Sequence, residues 1–253
     1  MLVNIKSLTG FTLRATDGEV GEVKDFLFDD QTWTIRYMIV ETGNWLSGRK
    51  VLISTESVDR TDSTSNMNHK VFPVNLSKEQ ILHSPPIDPD KPITRMQEEE
   101  LNGHYPWNNY WQSGYFTTGM IAYNALPLED EIKIRGEEQH SYRSEHESHL
   151  QSVHKIMGDT IKETDGDLGT IQGFIIDDSS WKIKFIILDI GTWFSGKKVV
   201  ISPQSITNVD WPMSEIRVNL TKDAVKHSPQ FDESEPIPAD LEDYFNLHYG
   251  SRE

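Results

Sequence analysis

Short apolar runs separated by turn dipeptides follow one another along most of the chain. After Asp17-Gly18, apolar residues recur through residues 20–28 in a β-like run. A second run, residues 33–40, alternates apolar and polar positions and then becomes continuously apolar, as a strand does when it enters a core. Ser47-Gly48 then precedes the apolar residues 51–53. Turn dipeptides of this kind are typical of hairpins, so the region is predicted to form strands.

The same pattern returns 148 residues later. Residues 17–54 and 165–202 share 17 identical residues in 38 ungapped positions. The clearest match is GNWLSGRKVLIS at 43–54 with GTWFSGKKVVIS at 191–202. Further along, the separation falls to 144 residues, and the four additional residues of the first copy fit in the polar stretch 59–70, because exposed loops tolerate changes of length. A duplication of this length predicts a repeated structural unit.

Each copy is also predicted to contain one short helix. Residues 78–82 follow Ser77, residues 222–225 follow Thr221, and Ser and Thr are favoured N-cap residues. Five or six short strands with one helical turn describe a small β-barrel of roughly 80–100 residues. The predicted fold class is therefore all-β, with two small barrels in tandem.

The duplication divides the chain into three predicted parts. The first barrel covers residues 1–106, a linker covers 107–150, and the second barrel covers 151–253. The linker is aromatic-rich at first and then acidic. Two similar barrels can pair within the chain about a pseudo-twofold axis, as identical subunits do in an isologous dimer. Association of two chains into a homo-oligomer is the other possibility.

Each copy resembles the PRC-barrel domain. The resemblance rests on DGEVGEVKDFLFDD (17–30), the strand after Trp33, GNWLSGRKVLIS (43–54) and VNLSKEQILHSPP (74–86), together with their second-copy partners. In addition, PITRMQEEELNGHYPWNNYW (92–111) is similar to the tail of stand-alone bacterial members of that family.

The resemblance implies a fold more than a function. PRC barrels form the cytoplasmic part of the photosynthetic reaction centre H subunit and the C-terminal part of the ribosome maturation factor RimM. The resemblance covers residues 3–111 and 151–249 and brings no catalytic motif. The sequence shows neither a membrane helix ahead of a barrel nor an RNA-processing domain. We therefore expect neither of those roles to carry over directly.

Composition narrows the classes of function. The 253 residues carry a formal net charge of −16 and include no cysteine. The charge argues against direct nucleic-acid binding and against adhesion to anionic membranes, both of which need clustered Lys and Arg. Without cysteine, thiolate catalysis and Cys-ligated metal sites are excluded. The N-terminus lacks a signal-peptide pattern and no apolar run approaches membrane-spanning length, so we expect a cytoplasmic protein that has no membrane span and no cofactor.

Two tryptophans stand beside the repeated Ser-Gly turns. Trp45 is followed by Arg49, and Trp193 by Lys197, at equivalent positions. One interpretation is that each ring covers the open end of its barrel and each cation is a solvated strand end. The other is that ring and cation together anchor a protein partner, since Trp and Arg are enriched in binding hot spots.

The first part of the linker has no counterpart in the second copy. It carries Trp107, Trp111 and Tyr115 within a run of aromatic residues. Such a run in a water-soluble chain is expected to be buried somewhere. It either packs against the barrels of its own chain or docks an outside partner.

Two features invite a metal-binding interpretation. The acidic pairs at 29–30 and 177–178 supply too few oxygens for calcium and are predicted to be turns. The acidic part of the linker contains His146 and His149, which are weak candidates because their spacing lacks the geometry of the H-E-x-x-H motif. No metal is therefore predicted.

The sequence favours a non-enzymatic binding or scaffold protein with an unknown protein partner. The duplicated module and the aromatic linker support this function, and no catalytic constellation is recognisable. One alternative is a ribosome- or RNA-processing-associated factor that acts through a protein contact. Another is a small-ligand or metal-binding protein that uses the His and Glu residues of the linker.

Overall fold

The computed structural model describes residues 1–61, 67–111, 149–163, 166–191, 196–238 and 240–249. Within these ranges the chain forms mostly strands, arranged in two sheets, with a few short helices. The predicted all-β class is confirmed, and each half of the chain builds one barrel-like body.

The two halves contain corresponding strands. The strands of the first half are β1 (Leu2–Asn4), β2 (Thr12–Ala15), β3 (Gly18–Asp29), β4 (Thr34–Glu41), β5 (Lys50–Ser54) and β6 (Val71–Pro73). Those of the second half are β7 (Leu150–Ser152), β8 (Thr160–Glu163), β9 (Gly166–Asp177), β10 (Ile183–Asp189), β11 (Lys198–Ile201), β12 (Ile206–Asp210) and β13 (Glu215–Val218). The first sheet follows the order β5-β4-β3-β2-β6, and the second follows the equivalent order β11-β10-β9-β8-β13 with β12 added at its edge.

In the part of the chain that the structure describes, each half contains a pair of short α-helices at equivalent positions. The first of each pair, α1 (Lys78–Leu82) and α3 (Lys222–His227), agrees with the predicted helix and begins after Ser77 or Thr221, whose side chains accept backbone N–H bonds. The second of each pair, α2 (Arg95–His104) and α4 (Leu241–Tyr249), was not predicted. In the described ranges no helix is long and apolar enough to cross a bilayer.

The first strand of each half lies in the sheet of the other half. Strand β1 pairs antiparallel with β9, and β7 pairs antiparallel with β3. The two pairings have the same register, with Leu2 opposite Asp177 in one and Leu150 opposite Asp29 in the other. The exchange relates the halves by a pseudo-twofold axis, so the pairing of barrels within the chain is confirmed.

Two tryptophan turns meet at this axis. The backbone N–H of Ile35 donates to the carbonyl of Trp181 at 2.9 Å, and that of Ile183 donates to Trp33 at 2.8 Å. Both tryptophans have left-handed φ angles, 51° at Trp33 and 59° at Trp181. Bulky residues adopt this conformation at a cost, so the reciprocal bonds across the axis hold strained backbone in place.

Aromatic side chains from both halves fill the space between the sheets. The ring centroids of Phe28 and Phe174 are 5.8 Å apart, and those of Phe26 and Trp181 are 6.4 Å apart. Most buried apolar residues of both halves belong to one continuous cluster, and a smaller cluster beside Phe185 belongs to the second half. The two barrels therefore share a core.

We expect that neither half folds as a stable monomer, because each would lose the strand that completes its sheet. A fragment of residues 1–111 can satisfy its β3 edge only with β1 of a second copy, which is equivalent to β7. Analytical ultracentrifugation with circular dichroism should show this fragment as a folded homodimer or as an unfolded monomer. A monomer that unfolds cooperatively would contradict the shared core.

Strands approach most closely at Gly21 of β3. A Cβ at this position would lie 2.0 Å from the carbonyl oxygen of Glu41, a backbone atom that cannot move aside. We expect Gly21→Ala to lower the free energy of unfolding by at least about 2 kcal/mol in urea titrations. Gly103→Ala is the control, because a Cβ on this helical residue meets nothing within 4 Å. That change should be neutral or stabilise by up to about 1 kcal/mol, and equal losses in both variants would refute the argument.

Candidate protein-docking groove

Arg49 and Lys197 have the same structural role in the two halves. The Arg49 guanidinium donates to the carbonyls of Ser84 at 2.7 Å and Pro85 at 2.8 Å, just past the end of α1. The Lys197 ammonium donates to the carbonyl of Lys226 at 2.7 Å, in the last turn of α3. Cations in these positions satisfy carbonyls that a helix end leaves without partners. Partner binding by these two residues stays a prediction.

The other residues singled out beside the Ser-Gly turns and in the linker mostly lie outside the described part. Trp193, Tyr115 and His146 fall in ranges that are not described, and of Trp45 only the backbone, in a 3-10 helix over Gly43–Leu46, is described. Their predicted roles remain predictions.

His149 lies at the start of the second half and faces Asp30. Its Nδ1 is 3.7 Å from Asp30 Oδ1, and the same carboxylate accepts a bond of 2.7 Å from Trp211 Nε1. Burial raises the pKa of Asp30, although these partners oppose the shift. Among the described residues, no group of three His, Asp or Glu side chains is arranged to hold a metal ion.

The predicted acidic turns are confirmed. Asp29 Oδ1 accepts the backbone N–H of Thr32 at 2.7 Å, and Asp177 Oδ1 accepts that of Ser179 at 3.0 Å. Burial opposes ionisation of Asp177, but the bonds from Ser179 and Ser180 prevail and lower its pKa to about 2. These carboxylates hold the turns that lead into the tryptophans at the axis.

Trp107 lies in a groove of the first half, which we call the closed groove, and Trp111 packs beside it on Arg95. The groove is formed by β4, the end of β5 and α2, and its walls include Arg36, Tyr37, Thr55 and Asn102. Residues 107–111 of the chain itself run along it. Only about 20 Å³ of space remains beside them.

Tyr110 contacts the groove through both its ring and its hydroxyl. Its ring lies under the Arg36 guanidinium, 3.7 Å from the centroid, and its hydroxyl donates to Glu98 at 2.9 Å. Arg95 Nη1 donates to the same hydroxyl at 3.1 Å and to Glu98 at 2.9 Å. The hydroxyl of Tyr37 donates to Glu98 at 3.3 Å. A phenol therefore sits between two guanidinium groups and a carboxylate.

The two tryptophans pack on either side of this network. Trp107 stacks on Tyr105 with centroids 4.1 Å apart, and Trp111 lies under the Arg95 guanidinium at 4.2 Å. The amide of Asn102 donates to Asn109 at 2.9 Å. Both tryptophans are half-buried, so packing of the aromatic segment against its own barrel is what the structure shows at these two positions.

Glu98 is the most strongly perturbed carboxyl group of the groove. Its side chain is 1% exposed. Burial raises its pKa to about 7, although Arg95 and the two tyrosine hydroxyls favour the ionised form. Burial likewise raises the pKa of Tyr110 and Tyr37. A carboxyl with such a pKa is often catalytic, but here its oxygens already have three donors and about 20 Å³ lies beside it.

The equivalent groove of the second half is open, and we call it the open groove. In the described part of the chain it encloses about 410 Å³. Its lining includes Lys184, Phe185, Ser202, Gln204, Glu242 and Phe245. The repeat spacing pairs residues of the two grooves. Lys184 is equivalent to Arg36, Phe185 to Tyr37, and Glu242 to Glu98. The position of Trp107 is taken by Ser251 in the sequence.

The tail helix α4 packs less tightly than α2. Leu101 of α2 is 1% exposed, whereas its counterpart Phe245 is only partly buried, although its ring contacts Phe185 at 5.2 Å. A second, mostly apolar pocket of about 220 Å³ lies on the other side of Phe245, beside Phe231 and Leu241. Within the described residues, the second half thus keeps the walls of the groove, and no equivalent of residues 107–111 lies between them.

Sequence reasoning missed Arg95, Glu98 and Tyr110 of the first half, and Lys184 and Glu242 of the second. One usable signal was present. Thr94 and Gln97 form a capping box that marks the start of α2, which places Glu98 on the same face as Leu101 and Asn102. A carboxylate on the apolar face of a helix next to an aromatic segment indicates a buried polar network.

The raised pKa of Glu98 predicts a specific dependence of stability on pH. The unfolded chain releases this proton near pH 4.5 and the folded protein near pH 7, so the folded state holds more protons between these values. Stability therefore falls as the pH rises from 4.5 to 7, by at most about 3 kcal/mol for this group.

We expect Glu98→Gln to remove this part of the pH dependence in urea titrations between pH 5 and pH 8. Glu99→Gln, an exposed change on the same helix, is the control and should keep the wild-type slope. Equal slopes for wild type and Glu98→Gln would show that the carboxyl is ionised throughout the range.

Comparisons with known proteins agree with this architecture. Residues 2–67 match the family model described as PRC-barrel domain. Comparison with curated protein sequences gave no significant match. The match covers β1 to β5 of the first half, and the second half repeats the same strand order at the repeat spacing. The match therefore supports a PRC-barrel domain at residues 2–67.

Proposed function

We propose that this protein is a non-enzymatic binding or scaffold module that acts in the cytoplasm and uses the open groove to dock a protein partner. The observation that carries the proposal is the contrast between two equivalent grooves. One is filled by the chain's own residues 107–111, and the other encloses about 410 Å³. A space of this size falls within the range of pockets that hold small molecules, about 300 to 1,000 Å³, so it can admit side chains of a partner.

The lining of the open groove suits a peptide more than a substrate. It combines the aromatic walls Phe185 and Phe245 with one ion pair, in which Lys184 Nζ is 2.9 Å from Glu242 Oε1. Aromatic walls with few charges are typical of docking sites. Glu98, the buried carboxyl whose raised pKa would suit acid–base catalysis, lies instead in the closed groove, where its oxygens accept hydrogen bonds from Arg95 and Tyr110.

A photo-crosslinking amino acid placed at Gln204 tests the proposal. Gln204 lines the open groove, and Glu56 is its exposed counterpart at the closed groove. In cells of the source organism, position 204 should capture a specific protein at least about fivefold more efficiently than position 56, because only the open groove admits a partner. Mass spectrometry of the adducts measures this, and equal or absent capture at both positions would refute the docking function.

A further inference from the structure

The closed groove shows which chemistry this surface recognises. Its occupant, residues 107–111, has a known sequence and known contacts. Tyr110 is held at both ends, with its ring under Arg36 and its hydroxyl on Glu98. Trp107 lies three residues earlier and packs near Tyr37, with centroids 6.3 Å apart. The recognised pattern is a tryptophan followed three positions later by a tyrosine.

The open groove retains the groups that recognise this pattern. Lys184 supplies a cation in place of Arg36, and Glu242 supplies a carboxylate in place of Glu98. Their side chains are 36% and 47% exposed, so both are accessible from solvent. A phenol entering between them would donate a charge-assisted hydrogen bond from its hydroxyl to Glu242. Its ring would lie against the Lys184 ammonium in a cation–π contact.

The apolar wall for the first aromatic residue is also retained. Phe185 replaces Tyr37, and Phe245 packs against it. One recognition element differs in the sequence, because Ala239 stands where the first half has Arg95. Arg95 contacts the ring of Trp111 in the closed groove. The open groove is therefore suited to two aromatic residues of the pattern and not to the third.

We propose that the open groove binds an extended segment of another protein that carries two aromatic residues three positions apart, the second of them a tyrosine. This inference rests on the proposed docking function and names the chemistry of its partner. The chain's own copy of the pattern does not compete for the groove in cis, because it is seated in the closed groove.

The test uses the full chain and a fluorescein-labelled peptide, Tyr-Pro-Trp-Asn-Asn-Tyr-Trp, with the sequence of residues 105–111. Fluorescence anisotropy should show saturable binding of one peptide per chain. Replacing the tyrosine that corresponds to Tyr110 with phenylalanine should weaken binding about 3- to 10-fold, because the bond to Glu242 is lost. Replacing the peptide's first tryptophan with alanine should weaken it more.

Variants of the protein locate the site. Lys184→Ala and Glu242→Gln should each weaken binding of the peptide about 3- to 10-fold. Lys162→Ala is the matched control, because Lys162 is also a half-buried lysine of the second half in an ion pair, with Glu215 on the far side of β9. Its affinity for the peptide should stay within about twofold of wild type.

Each result decides between the alternatives. Absence of saturable binding, or binding that Lys184→Ala and Glu242→Gln leave unchanged, overturns the inference. Dimers in analytical ultracentrifugation that Lys184→Ala dissociates would replace the outside partner with a second copy of this chain. Capture from position 204 without peptide binding would refute the aromatic pattern and leave the docking function standing. Failure of both experiments would refute both proposals.

Discussion

The reciprocal exchange of first strands is the constraint on which the rest of the structure depends. Because β1 completes the sheet of the second half and β7 completes that of the first, neither sheet is finished without the other half. The exchange brings the two tryptophan turns together and sustains their left-handed backbone through paired hydrogen bonds. It also merges two small cores into one, and a larger core buries a greater fraction of its surface.

A shared core also allows the halves to diverge. The free energy that holds the second barrel together comes partly from strands and aromatic residues of the first, such as Phe28 against Phe174. The second barrel can therefore carry Ser251 at the position of Trp107 without losing its support.

The sequence predicted the features that depend on local chemistry. Period-two apolar patterns predicted the strands, N-cap Ser77 and Thr221 predicted α1 and α3, and acidic pairs such as Asp29-Asp30 predicted the turns. Pairing of the barrels within the chain was predicted as one of two possibilities. The strand exchange itself was not predicted, because three residues such as Leu2–Asn4 carry too little pattern to identify a partner strand. The network around Glu98 was missed because it joins residues from β4, α2 and the segment after it, whose proximity only the fold creates.

The two grooves also differ in how they balance charge. In the closed groove the carboxyl of Glu98 is desolvated. Burial outweighs its three hydrogen-bond donors and raises its pKa to about 7. In the open groove the corresponding Glu242 pairs with Lys184 while half exposed, and water still stabilises both charges. An exposed ion pair of this kind costs little to open. Withdrawal of the segment from the closed groove, by contrast, would remove the Tyr110 hydroxyl from both Arg95 and the buried Glu98. Exchange of occupants is thus costly at the closed groove and inexpensive at the open one, which is why recognition is assigned to the second half.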